Sequence, residues 1–311
     1  MRRSPTVRAG LHLPHHLPDD RLNDVLRQAM GAADPPAVRP ELHAHWNAEF
    51  FGLDRTRLWG DLASAERQNL QAQCARDVLE EAFYIEQCGM AFAARMVLEA
   101  ETVEERMLYS LFGAEEARHL HAISCWIQPQ APQSAFLKLL ARTIETAQRE
   151  TLFLVIQVIL EGWGLRHYAR LARYCQTPSL AHALEAILTD EARHHRSGVI
   201  LATQKPAREE AIAILGDLCN LIRVGPVALT QAVTAQSNVQ PSEVGHIWRA
   251  LGGSGHAAER LSLVRSLLEK AGASHIATPL NEMGYFSPLP EDNCLECIAW
   301  PTHLTFNHQN S

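Results

Sequence analysis

Two heptapeptides of this chain, "AEEARHL" at residues 114–120 and "TDEARHH" at 189–195, carry an acid followed by Glu-Ala-Arg-His in the same order. Sliding the chain on itself by 75 residues superposes them, with Glu115 on Asp190, Glu116 on Glu191 and His119 on His194. The same offset lays "IEQCGMAFAAR" (85–95) on "LEGWGLRHYAR" (160–170), so Glu86 meets Glu161, Gly89 meets Gly164 and Arg95 meets Arg170. Each half therefore holds a lone glutamate and, 30 residues later, a Glu-x-x-His. A single Glu-x-x-His on a helix is ordinarily a solvated i,i+3 pair. Two copies with matched flanks and matched upstream glutamates point to a shared chemical task.

The context of these stretches is helical. Ala, Leu, Glu, Arg and Gln dominate, and alternating strand patterns are nearly absent, which places the chain in the all-α class. A long helix is expected from about Ser64 to Ala100. Thr102 and Glu105 form a T-x-x-E capping box that opens a second, running to about Ile127. After the break "QPQAPQ", a third runs from about Ser134 to Tyr174, long enough for a kink. Thr177 and Pro178 supply an N-cap and a first-turn proline for a fourth, ending near Lys205-Pro206. Four such helices make a four-helix bundle over 64–205. Residues 1–63 read as irregular with short aromatic helices. Residues 206–311 read as helices near 207–236 (disturbed at Gly225-Pro226), 241–251 and 256–271 and a Pro-rich tail, a helical extension packed on the bundle.

Helical spacing turns the repeat into a site. Residues i and i+3 share a face, so Glu116 and His119 project together, as do Glu191 and His194. Their stripes are otherwise apolar, with Phe112, Leu120 and Ile123 beside Glu116 and Ile187 and Leu188 beside Glu191. Glu86 and Glu161 lie on similar stripes. Four bare carboxylates facing a core would each cost several kcal/mol. Two divalent cations cancel them, with the two imidazoles completing the ligand set Glu86, Glu116, His119, Glu161, Glu191 and His194. Hard carboxylates with a minority of imidazole suit two iron ions, with manganese the alternative. A metal-bound imidazole needs its other N–H held, and Glu115 and Asp190 are placed to do so across the two halves, with Arg118 and Arg193 to neutralise them. Glu81 competes with Glu86, but the two point about 140° apart on a helix, and the repeat selects Glu86.

On these residues the chain resembles the ferritin-like di-iron carboxylate superfamily. "EEARH" and "DEARH" are most similar to its oxygen-activating branch of acyl carrier protein desaturases, multicomponent monooxygenases and ribonucleotide reductase small subunits. The resemblance covers about 64–204. It implies a di-iron oxidoreductase that activates O2 to hydroxylate, N-oxygenate or desaturate a small organic substrate. An iron-storage protein and a radical-generating subunit are the alternatives. Two departures stand out. Where the oxygenases carry a threonine one turn after the second-half glutamate, this chain has Gly164 and Leu165; where the radical subunits carry a tyrosine, it has Ile123, with Gly198 as its repeat partner. Gly89, Ile123, Gly164 and Gly198 are therefore the candidates for a substrate and oxygen pocket, and Tyr109 for a radical site.

Composition bounds the rest. A formal charge of −7 without a basic run argues against nucleic acid and anionic membranes. No 18-residue uncharged apolar run and no apolar leader is present, and seven cysteines, mostly in apolar stretches, suit a reduced, cytoplasmic setting. No nucleotide-binding glycine fingerprint follows a strand, so electrons are expected from a separate reductase or ferredoxin. A homodimer is compatible with all of this. Cys294 and Cys297 with His303 and His308 have the residue types of a zinc site, but one CxxC is a weak signal.

Overall fold

A computed structural model describes residues 11, 20–30, 40–130, 134–202, 208–235 and 239–299. Among these, every regular element is a helix. The N-terminal part contributes α1 (Asp20–Met30), α2 (Ala48–Phe51) and α3 (Arg57–Asp61). Next come α4 (Ser64–Glu99), α5 (Val103–Ser124), α6 (Ala135–Thr146), α7 (Arg149–Leu152), a π-helical stretch (Phe153–Leu160), α8 (Glu161–Tyr174) and α9 (Pro178–Leu201). The C-terminal part holds α10 (Arg208–Arg223), α11 (Val227–Ala235), α12 (Pro241–Ala250), α13 (Gly253–Lys270), α14 (Ser274–Glu282) and α15 (Glu291–Ala299).

The bundle is built from two long pairs. α4 lies along α5 and α8 along α9, the pairs touch through α5 and α9, and α4 meets α8 through side chains of a shared apolar core. Trp46, fully buried, donates its indole N–H to the Leu171 carbonyl at 3.0 Å and fastens the N-terminal segment to α8. Phe92, Tyr109 and Phe153 of the bundle share one continuous core with Leu215, Leu261 and Ile276. The C-terminal helices α10, α13 and α14 thus bury their apolar stripes against the bundle.

Several expected details differ. The third long helix is not continuous. α6 stops at Ala147, which is extended, and Arg95 donates to the Ile144 and Ala147 carbonyls at 2.5 and 2.6 Å. That guanidinium supplies the partners that free carbonyls at a helix end require. The π-helical stretch then feeds into α8, and the Glu161 N–H donates to Ile156, five residues back. The Thr102 hydroxyl accepts from Glu105 N at 3.1 Å as the capping box requires, but the Glu105 carboxylate accepts from Glu101 N instead of Thr102 N. Thr177 does not cap α9, because its hydroxyl pairs with His45 Nδ1 at 2.8 Å. The N-terminal segment contains α1, and the Pro-rich tail, for which no helix was assigned, contains α14 and α15. In α14, Ile276, Ala277 and Leu280 bury one face despite Pro279 inside the helix, and proline density hid that spacing.

Among the described residues, no single helix is long and apolar enough to cross a membrane. α10 with α11 would pass only as a bent pair by length and composition, and Leu215, Leu218 and Cys219 of that pair lie in the core.

Candidate metal centre

The repeat converges in space. α4 supplies Glu86, α5 Glu116 and His119, α8 Glu161, and α9 Glu191 and His194; all but Glu161 are buried as whole residues. His119 Nδ1 lies 3.2 Å from Glu86, 3.7 Å from Glu116 and 3.8 Å from Glu191. His194 Nδ1 lies 3.3 Å from Glu116 and 3.9 Å from Glu191. Glu116 and Glu191 therefore face both imidazoles, while Glu86 stands at the His119 end. Donor atoms of Glu86, Glu116, His119 and Glu191 lie within 4.8 Å of one another, and those of Glu161, Glu191 and His194 form a second such group. That is two adjoining cation-sized donor sets sharing a carboxylate.

The outer nitrogens are held across the two halves. His119 Nε2 pairs with Asp190 at 3.0 Å and His194 Nε2 with Glu115 at 2.9 Å. Holding Nε2 leaves each Nδ1 to face the carboxylates, the orientation a metal ligand needs. Arg193 alone bridges both acids, donating to Glu115 at 2.7 Å and to Asp190. Arg118, expected to share this task, is exposed and makes no such bond among the described residues. Arg193 is one helical turn from Asp190 and reaches both; the equivalent rotamer on α5 is not used.

The protons of this cluster are displaced from their ordinary positions. Burial, then repulsion from Glu116, raises Glu161 well above the carboxylate range; Glu191 is raised by burial and by Glu116, Glu86 and Glu161. Burial likewise pushes Glu86 up to about 7, against a hydrogen bond with His119. Burial would lower His119, but hydrogen bonds to Glu116 and Glu86 overcome it and raise it to about 11. In the same way His194 rises to about 8, chiefly through Glu116. Without cations the cluster thus keeps protons that two divalent ions would replace. Glu161 Oε2 is buried with no hydrogen-bond partner, an orphan acceptor that a cation would satisfy. Four carboxylates and two imidazoles, with one acceptor left open, fit a pair of divalent metals.

The glycines divide into three cases. A Cβ on Gly89 would stand 2.4 Å from Glu116 Oε2, so the space this glycine leaves is filled by that carboxylate. A Cβ on Gly198 would stand 2.2 Å from the Gln157 Cβ, so the π-helical stretch occupies that space and no gap remains. Only Gly164 has open space, with nothing within 4 Å of its Cβ position. Ile123 is fully buried, a wall of the core and not of a cavity. Met90, one turn after Glu86, is exposed. His195 is no ligand, pairing instead with the Gln157 carbonyl at 3.0 Å.

Two tyrosines matter, and only one was anticipated. The Tyr109 hydroxyl donates to Gln157 Oε1 at 2.7 Å and not to a carboxylate of the cluster, while the charge of Glu161 helps to raise its pKa. Tyr168, buried on α8, donates its phenol directly to Glu86 Oε1. It sits seven residues after Glu161, two turns along the same face, which was the available signal; its repeat partner is Ala93, so the internal comparison gave none.

Residues 66–203 match the family model of the ferritin-like domain. The matched stretch contains all six cluster residues and both acids behind the histidines, so the ferritin-like bundle and the carboxylate–histidine centre coincide. No curated protein and no solved structure matches this chain. Cys294 and Cys297 lie on α15, whereas His303 and His308 fall outside the described residues.

Proposed function

We propose that this ferritin-like protein is a non-haem di-iron oxidoreductase that activates O2 to oxidise a small organic molecule by hydroxylation, N-oxygenation or desaturation. The observation that carries this reading is the pair of adjoining donor sets with both histidines held from behind by Asp190 and Glu115. Bound iron supplies the redox chemistry with dioxygen, its electrons coming from a separate reductase or ferredoxin; manganese is the alternative metal. The chain's own residues set the conditions. Glu116 and Glu191 hold the two halves at one spacing, and Asp190 and Glu115 keep Nδ1 of each imidazole turned inward. Tyr168 holds a proton at the Glu86 carboxylate, at the edge of the centre. Phe112, its ring centre 3.9 Å from that of His194, shields that side from water.

The Tyr168–Glu86 contact also favours a second reading, a radical-generating subunit. One experiment separates the possibilities. The chain is loaded anaerobically with iron(II) and given O2 with a chemical reductant, while uptake and the electron paramagnetic resonance spectrum are followed. The oxidoreductase reading expects uptake that continues for many turnovers, is lost in Glu86→Ala, and leaves no persistent radical. Uptake that stops once the added iron is oxidised, from a shell-sized assembly, would establish storage. A long-lived tyrosyl signal in high yield, absent in Tyr168→Phe, would establish the radical subunit.

A further inference from the structure

The π-helical stretch "FLVIQVIL" carries one polar side chain, Gln157, and that residue is wholly buried. π-Helical turns are rare and gather at functional sites. A buried carboxamide is costly unless both of its ends are paired, and here both are. Gln157 Oε1 accepts from the Tyr109 phenol of α5 at 2.7 Å. Its Nε2 donates to the His194 carbonyl at 3.3 Å and to the Ser197 hydroxyl at 3.2 Å, both on α9. Ser197 in turn donates to the same carbonyl at 2.8 Å. The main chain joins in, since the Gln157 carbonyl pairs with His195 Nδ1 at 3.0 Å. Gly198 makes the approach possible, because a Cβ there would stand 2.2 Å from the Gln157 Cβ.

His194 is therefore anchored at two points. Its ring is held at Nε2 by Glu115 at 2.9 Å, and its backbone by Gln157. Nδ1 is left facing Glu116 and Glu191 at 3.3 and 3.9 Å. The repeat that matches the ligands does not match this support. At the offset of 75, Gln157 falls on Ala82, Ser197 on Ala122 and Tyr109 on Leu184. Those three side chains have no polar atom, so the same link cannot form behind His119, whose ring is held at Nε2 by Asp190 at 3.0 Å. Two positions with equivalent ligands thus differ in what fixes them.

We propose that Gln157 is a positioning residue for one metal of the pair: by tying Tyr109 to the His194 backbone it fixes the imidazole of the His194 position, while the His119 position does not depend on it. The inference rests on the di-iron reading and adds the residue that controls one of its two ions. The test titrates iron(II) anaerobically into the full chain against a competing chelator and records the ferrous Mössbauer spectrum. Gln157→Met is expected to weaken one of the two ions at least about tenfold, the scale on which ligand support acts, to leave the other within twofold, and to alter one of the two ferrous doublets. Because Gln157→Met leaves a buried phenol unpaired, a companion chain adds Tyr109→Phe to remove both partners, and it is expected to give the same result. In His194→Ala, which keeps only the His119 position, the remaining ion should bind alike with Gln157 or with Gln157→Met. General loosening of the bundle would weaken both ions alike. That result, no effect on either ion, or a His194→Ala chain whose ion is absent or still responds to Gln157→Met would overturn the proposal. A parent chain that binds no iron removes the di-iron reading itself, whereas a parent that binds two ions equally sensitive to Gln157 removes the positioning role alone.

Discussion

Gly89 and Gly164 occupy equivalent positions in the repeat, yet their surroundings differ, and an alanine at each separates the reading of the centre from a general packing argument. Helix-interior Gly→Ala contributes about 1 kcal/mol through backbone propensity, roughly 2 °C in Tm for a chain of this size. At Gly164 nothing lies within 4 Å of the new methyl, so that gain should appear undiminished. At Gly89 the methyl would stand 2.4 Å from Glu116 Oε2 and 2.6 Å from its Cδ. Those atoms are the end of a flexible side chain, so the carboxylate swings aside and the helix stays. Glu116 faces both imidazoles, at 3.7 Å from His119 and 3.3 Å from His194, so its displacement disturbs both metal positions. Gly89→Ala should therefore keep a metal-free Tm within a few degrees of the parent while its iron affinity falls at least about tenfold, the scale on which misplaced ligand support acts. Gly164→Ala should load iron normally. Thermal melts of the metal-free proteins with competitive iron titrations give both numbers. Two variants that load iron alike would refute the placement of Glu116 at the centre.

Other substitutions follow from the same geometry. Asp190→Asn and Glu115→Gln should each weaken iron binding by roughly 10- to 100-fold, measured by chelator competition; unchanged affinity in both would show that the histidines need no such support. Gly198→Ala should destabilise the fold by about 1–3 kcal/mol, read from chemical denaturation, because its methyl would meet the Gln157 side chain at 2.2 Å and backbone at 3.1 Å. His167 and His256 titrate near 4 when folded and near 6.5 when unfolded, so the unfolded chain binds more protons between those values. Their contribution is therefore present above pH 6.5 and is lost as pH falls toward 4. His167→Gln should make the decline of Tm over that window shallower, and an unaltered slope would contradict the neutral state assigned to it.

The cluster was legible because four of its elements recur at one offset, and a repeat of that kind survives in sequence whatever the tertiary packing. Tyr168 was not, since the residue opposite it in the other half is Ala93 and a phenol reaching Glu86 across the bundle leaves no local trace. The π-helical stretch was hidden for a different reason. "FLVIQVIL" is apolar almost throughout, and a run buried on every side has no period from which to read a change of helical pitch. Gly198 looked like a gap because the approach of Gln157 that fills it depends on that unread stretch.

Loading the metal-free chain with iron(II) under anaerobic conditions, admitting O2 and recording the Mössbauer spectrum tests the central claim most directly. Two irons per chain that become a magnetically coupled diferric pair are predicted, with the coupled signal lost when His119 and His194 are both replaced by alanine. One iron or fewer per chain, uncoupled ferric iron, or full loading of the double variant would contradict the dinuclear centre.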